Sequence, residues 1–131
     1  MANLDPGTRA SHAGRSLPYV SDGTGEAGDA VTYDTTNDVV TVTTSSDDRV
    51  FGVLGETPEG DGDDVMVHRN GPVVANLGDV QPGEPLAPSG TEDGQLVTDP
   101  NYADGDSTTN VHGRQVEADV NMAGDLLAHF L

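Results

Sequence analysis

Four histidines (His12, His68, His112 and His129) and a dense population of aspartates are the side chains here with the means to do chemistry. A zinc-type site wants two histidines four residues apart on one helix face, or thiolates. No two of these histidines stand at that spacing, and the chain has no Cys. His68 alternates with Val65 and Val67, so it is expected to point outward, and His129 sits between Ala128 and Phe130. Each is read as structural or exposed.

The run Glu59-Gly-Asp-Gly-Asp-Asp64 puts carboxylates at alternate positions, as a calcium loop does. The EF-hand pattern needs Gly where Asp64 stands and Glu where Asn70 stands. A solvated turn is therefore expected there, as at Asp47-Asp48 and Asp104-Gly-Asp106. Asp22-Gly-Thr-Gly25 copies the aspartic-protease signature, but its matching second copy is missing and Val20-Ser21 frames it weakly. There is no Gly-x-Ser-x-Gly elbow, P-loop or Gly-x-Gly-x-x-Gly. No catalytic residue, metal ligand or cofactor is expected. An enzyme would have to gather distant groups, for example His68 with Asp34 and Asp119.

The elements that would position any of these must come from a short, acidic chain. Its 131 residues, 34% hydrophobic, suffice for one small core. Seventeen Gly and eight Pro against two Phe, three Tyr and no Trp describe a chain that turns often. No apolar run reaches the ~20 residues of a membrane-spanning helix. The first residues lack a basic segment followed by an apolar one, so no secretory signal is expected.

Twenty-three acids face five Arg and no Lys, a formal charge of −18. That balance excludes binding to nucleic acid by phosphate neutralisation, and to anionic membranes. It has two explanations. One is disorder, for which high charge with few aromatics is the signature. The other is a folded chain suited to molar salt, where the Debye length shrinks from about 10 Å to about 3 Å and self-repulsion is screened. The strand-like segments, the missing Lys and the abundance of short Asp side chains favour the second.

Residues 1–27 carry little periodicity and are expected to form an extended N-terminal arm, in which only Leu17-Pro-Tyr-Val20 resembles an apolar contact. From residue 28 to 131 strands and turns take over. Asp29–Asp34 and Val39–Thr44 flank a turn at 35–38 and predict a hairpin of β-branched residues. Arg49–Leu54 follows, with Gly52 marking a bulge or a close backbone approach. Asp63–His68 alternates well, and Asn70-Gly71 predicts a tight turn into Pro72–Ala75. Glu84–Ala87, Gly94–Thr98, Val111–Val120 and Asp125–Leu131 are shorter candidates, and Asp99–Asn110 reads as a surface loop. Only Val116–Ala128 has anything like helical periodicity, interrupted by Gly124. Four segments place Gly and then an acid just before an apolar residue (Gly28-Asp29, Gly62-Asp63, Gly83-Glu84 and Gly124-Asp125), a repeated strand-entry turn. The expected class is all-β, a compact β-barrel or β-sandwich of short antiparallel strands.

Taken in order, Gly28–Asp34, Arg49–Leu54, Val65–Val73 and Val80–Leu86 resemble the small head decoration (cement) proteins of tailed viruses, and the acidity would suit a haloarchaeal one. The resemblance implies a β-barrel decoration domain over 28–131, on the outer surface of an icosahedral capsid. It implies no catalysis, major capsid protein as partner, and self-association as a homotrimer or other symmetric oligomer. The arm would lie in a capsid groove, with Leu4, Arg9, Arg15, Leu17, Tyr19 and Val20 in contact, Arg pairing with carboxylates of an equally acidic shell. The same residues serve equally well as packing on the chain's own sheets. A turret, spike or tail component of the virion, or a free halophilic β-barrel that binds a small ligand or cation, are the other readings.

Overall fold

β-branched residues fit a pleated surface better than a helix, and this chain spends them on short strands. The computed structural model describes residues 5–8, 16–100 and 116–130. In these lie β1 (Ser16–Val20), β2 (Ala30–Asp34), β3 (Val39–Val42), β4 (Gly52–Leu54), β5 (Asp64–His68), β6 (Gly71–Val73), β7 (Leu86–Pro88), β8 (Leu96–Thr98), β9 (Val116–Val120) and β10 (Leu126–Phe130).

The first layer is a five-stranded antiparallel sheet in the order β1-β5-β4-β2-β3. It curls until its two edges meet at one point, a single bridge between Ser21 and Val40. The second layer joins the antiparallel sheet β6-β10-β9 to the pair β7-β8. The link is a bridge from Pro85 to Glu117, with Ala118 donating to the carbonyl of Glu84 at 2.8 Å. Among the described residues the strands form no closed barrel, and the two layers make a β-sandwich.

Alternation along the strands divides the apolar residues between two clusters. Ala30 and Val53 face the second layer, where Val73, Leu86, Leu96, Val116, Ala118, Ala128 and Phe130 complete the larger core. Their neighbours Val31 and Leu54 turn the other way. With Val40, Val65 and Val67 they fill the concave side of the curled sheet, under Tyr19, Tyr33 and Phe51. A fully buried Val or Leu contributes about 1.5–3 kcal/mol, so neither cluster is incidental to a chain this short.

Three of the four strand-entry turns are reciprocal. The Asp29 amide donates to the Glu26 carbonyl, while its carboxylate accepts the Glu26 amide at 2.9 Å. Glu84 does the same with Gln81, and Asp63 does so with Gly60 and Glu59. In these three turns the Gly before the acid has positive φ, from 90° to 94°. The acid thus closes its own turn, as a capping box closes a helix end.

Several expectations need correction. Asn70-Gly71 does not form a hairpin: β5 lies in the first layer and β6 pairs with β10 in the second. The Gly (φ 77°) turns a corner between layers instead, because Val73 belongs to the larger core. By contrast, the strands expected within Val111–Val120 and Asp125–Leu131 are present as β9 and β10, and the interrupted helical spacing of Val116–Ala128 is accidental. Its apolar residues belong to β9 and β10, joined by a turn in which the Asn121 side chain accepts from the amides of Ala123 and Asp125, both at 3.0 Å. Within the segment expected as a separate arm, Ser16–Val20 is the edge strand β1 of the molecule's own sheet. The remainder of that segment at 1–4 and 9–15, and most of the 99–110 loop, lie outside the described residues.

The edge carries a block against further pairing. Pro18 stands opposite Met66, whose amide and carbonyl are both spent on the β4 side, with Glu56 and Gly55. Residues 18 and 66 are therefore a non-hydrogen-bonded pair, and the backbone of Pro18 faces away from β5. There a donor is missing for any added strand.

Candidate contact site

The concave mouth of the curled sheet gathers most of the chain's scarce aromatics. Leu17 and Tyr19 of β1 stand opposite Val67 and Val65, so they look to the same side as these two. Tyr33 comes from β2, and Phe51 immediately precedes β4. Tyr19 meets Phe51 edge-on with ring centres 5.0 Å apart, and Tyr33 lies 5.1 Å from the same ring. Aromatic pairs of this kind contribute about 0.5–1.5 kcal/mol beyond the area they bury.

Arg69 completes the group. It continues the alternation Val65, Val67, Arg69 just beyond β5. Its guanidinium carbon lies 3.6 Å from the Phe51 ring centre, a cation–π contact. Nε donates to the Phe51 carbonyl at 2.7 Å, and Nη1 donates to the Tyr19 hydroxyl at 3.1 Å. Gly52 makes room for this arrangement. A Cβ there would stand 2.6 Å from the His68 carbonyl and 3.3 Å from Cδ of Arg69. The close approach expected at Gly52 is present, and what approaches is the end of β5 with the Arg69 stem.

Arginine and tyrosine are the residue types that most often carry binding energy at protein interfaces. This pair is half-buried and fixed by neighbours on three strands. Composition gave no reason to single out Arg69, Phe51 or Tyr33. The usable signal was the continuation of the Val65–Val67 alternation onto a cation, two residues past the last valine.

Of the contacts expected in the arm, Tyr19 belongs to this cluster and Leu17 lies exposed on the same side. Val20 is exposed on the opposite face, beside Pro18 and Met66. Leu4, Arg9 and Arg15 lie outside the described residues, as do His12 and His112.

The sequence-level chemistry resolves into structure at each described position. His68 does face away from Val65 and Val67, yet it is buried, 6% exposed, because Gly7 and Ser16 cover it. Nε2 donates to the Gly7 carbonyl, which leaves Nδ1 to accept from the Ser16 hydroxyl in the neutral ring. A Ser–His hydrogen bond is the first half of an activated nucleophile. Here the second ring nitrogen is held by the Gly7 backbone carbonyl, and the imidazole pins the segment at residue 7 to β1 and β5. Asp119 pairs with His129 at 3.4 Å, and Asp34 accepts from Asn37 Nδ2 at 2.8 Å, so neither joins His68. Among the described residues no three His, Asp or Glu gather as metal ligands.

The protease-like signature is a seam. The Asp22 amide donates to the Val40 carbonyl, and the Val42 amide donates to the Thr24 hydroxyl, which closes the β3 edge. The carboxylate of Asp22 accepts the Thr24 amide and hydroxyl. Burial raises its pKa, but these bonds and one with Thr41 outweigh that and hold it below its ordinary value. One apolar feature escaped the sequence reading: Val120, Met122 and Leu126 are exposed together at the end of the β9–β10 hairpin.

No protein-family model matches the chain, and neither a curated protein nor a solved structure matches it significantly.

Proposed function

We propose that this protein is a structural component of a virion surface. It binds the outside of an icosahedral shell, bridges its major capsid proteins without catalysis, and associates with its own copies. The observation that carries this reading is the Arg69–Phe51–Tyr19–Tyr33 platform: interface-type side chains, held in place before any partner arrives, with Leu17 beside them. The charge of −18 supports an outward location, since such a surface would be repelled by packaged nucleic acid. Sequence resemblance to decoration proteins supplies the choice of shell. Binding at several places at once would let modest contacts add through effective concentration.

The test is co-sedimentation with native particles in molar salt. Wild-type protein should pellet with the shell in a fixed ratio, and Arg69→Met should remain in the supernatant while keeping its circular dichroism spectrum. A wild-type protein that stays a free monomer beside intact particles would refute the proposal.

A further inference from the structure

We infer that the Arg69 platform takes a carboxylate from an acidic segment of a partner protein, one in which apolar residues flank the acid; this rests on reading the mouth of the curled sheet as a contact site. The cation is held entirely by neutral groups: the Phe51 ring, the Phe51 carbonyl and the Tyr19 hydroxyl. Among the described residues the one contact of a cationic side-chain type with a carboxylate is that of His129 with Asp119, an ion pair only when the imidazole is protonated. In a chain with 23 acids and five Arg, a positioned guanidinium without a carboxylate is conspicuous. Arg has five N–H donors in a planar fork. Nε and one hydrogen of Nη1 are spent, so a hydrogen of Nη1 and both of Nη2 remain, the end of the fork that grips a carboxylate in a bidentate pair. Its stem is already fixed over Gly52, so little rotamer freedom remains to be lost on binding.

A free small anion does not fit as well. The field of eighteen negative charges repels it, and an exposed ion pair contributes only about 0–1 kcal/mol. The remainder must come from apolar contact, which Leu17, Tyr19 and Tyr33 offer beside the cation. An acid between apolar residues satisfies both requirements. The salt dependence then runs opposite to that of an ordinary ion pair. Shrinking the Debye length removes the long-range repulsion, while contacts at touching distance are screened far less.

The experiment is a nuclear magnetic resonance titration of the folded, nitrogen-labelled chain. The probes are a short, terminally blocked peptide of alternating Leu and Glu, its Leu and Gln twin, and sodium acetate. The Leu/Glu peptide should shift the Arg69 Nε–H and Gly52 amide signals, and bind about tenfold more tightly than the Leu/Gln twin. Its affinity should rise between about 0.1 M and about 1 M KCl. Arg69→Met should abolish the difference between the peptides. Tyr19→Phe, which frees Nη1 without removing the ring, should reduce it, and covers the case in which the Arg69 variant fails to fold.

Equal binding of the two peptides, with Arg69 Nε unmoved, would overturn the carboxylate inference and leave the contact site standing. Acetate binding as tightly as the Leu/Glu peptide would overturn the choice of a protein segment. Silence from both peptides at this end of the sheet would remove the inference and the contact site together.

Discussion

Val42 donates its backbone amide to the hydroxyl of Thr24 at 3.0 Å, so a side chain does at this edge of the sheet what a neighbouring strand does elsewhere. The hydroxyl can accept that bond because its own hydrogen goes to the carboxylate of Asp22. Thr24→Val keeps the shape and removes both bonds. It should lower stability by about 1–2 kcal/mol and speed hydrogen exchange at the Val42 amide above that of Val40. Unchanged exchange at Val42 would show that the seam does not hold the edge.

Acid should act on two turns. Asn37, with the backbone amides of Thr36 and Asn37, holds Asp34 below its ordinary value of 3.8, and the bonds of Asp22 hold it below the same value against its burial. A carboxylate with a depressed folded pKa stabilises the fold above the unfolded value and loses that contribution as pH falls through the folded one. Melting temperature in molar salt should therefore drop below pH 3.8. Molar salt matters because protonation also relieves self-repulsion, which would mask the loss in dilute buffer. Asp22→Asn should flatten the acid limb of the profile; an equally steep limb would clear Asp22 of any part in it.

Gly52→Ala tests how the platform is seated. The added methyl would stand 2.6 Å from both the His68 carbonyl and Cγ1 of Val67, in a strand with no room to yield. Overpacking of this kind costs about 1–3 kcal/mol. Denaturant titration should show the loss, and the Arg69 Nε–H signal should move with it. A variant of wild-type stability with an unmoved Arg69 signal would refute the close approach.

Thr43 offers a change in the other direction. It is fully buried, and its hydroxyl has no hydrogen-bond partner. Thr43→Val removes an unsatisfied polar group without opening a cavity, and should raise stability by about 1 kcal/mol, read as a higher melting temperature. A destabilised variant would mean that the hydroxyl is satisfied in solution.

Deleting residues 1–20 separates arm from sheet. The deletion strips β1 from β5 and removes Tyr19 from its place over Val65. The truncated chain should lose cooperative unfolding, whereas a merely attached arm would leave the melt unchanged. Calorimetry decides between them.

Strands were legible where local signals agreed. The β2–β3 hairpin combines β-branched residues with a turn that Asp34 organises, and both are local properties. Pairing between layers was not legible. Asn70-Gly71 favours a hairpin by local chemistry, and only the demand of the larger core for Val73 overrides it. The burial of His68 depends on Gly7, 61 residues away in the chain, so alternation gives its direction but not its cover. Tyr19 was legible as an apolar contact in an otherwise polar leader. Arg69 was not, because its meaning comes from Phe51 and Tyr19, both distant in sequence.

Pro18 bears on how this molecule behaves in a crowd. A second sheet laid along β1 would meet an imino ring where it needs a rung, so copies packed at high density are not readily stitched edge to edge into a ribbon. Any recognition at that flank, self-association included, therefore falls to side chains.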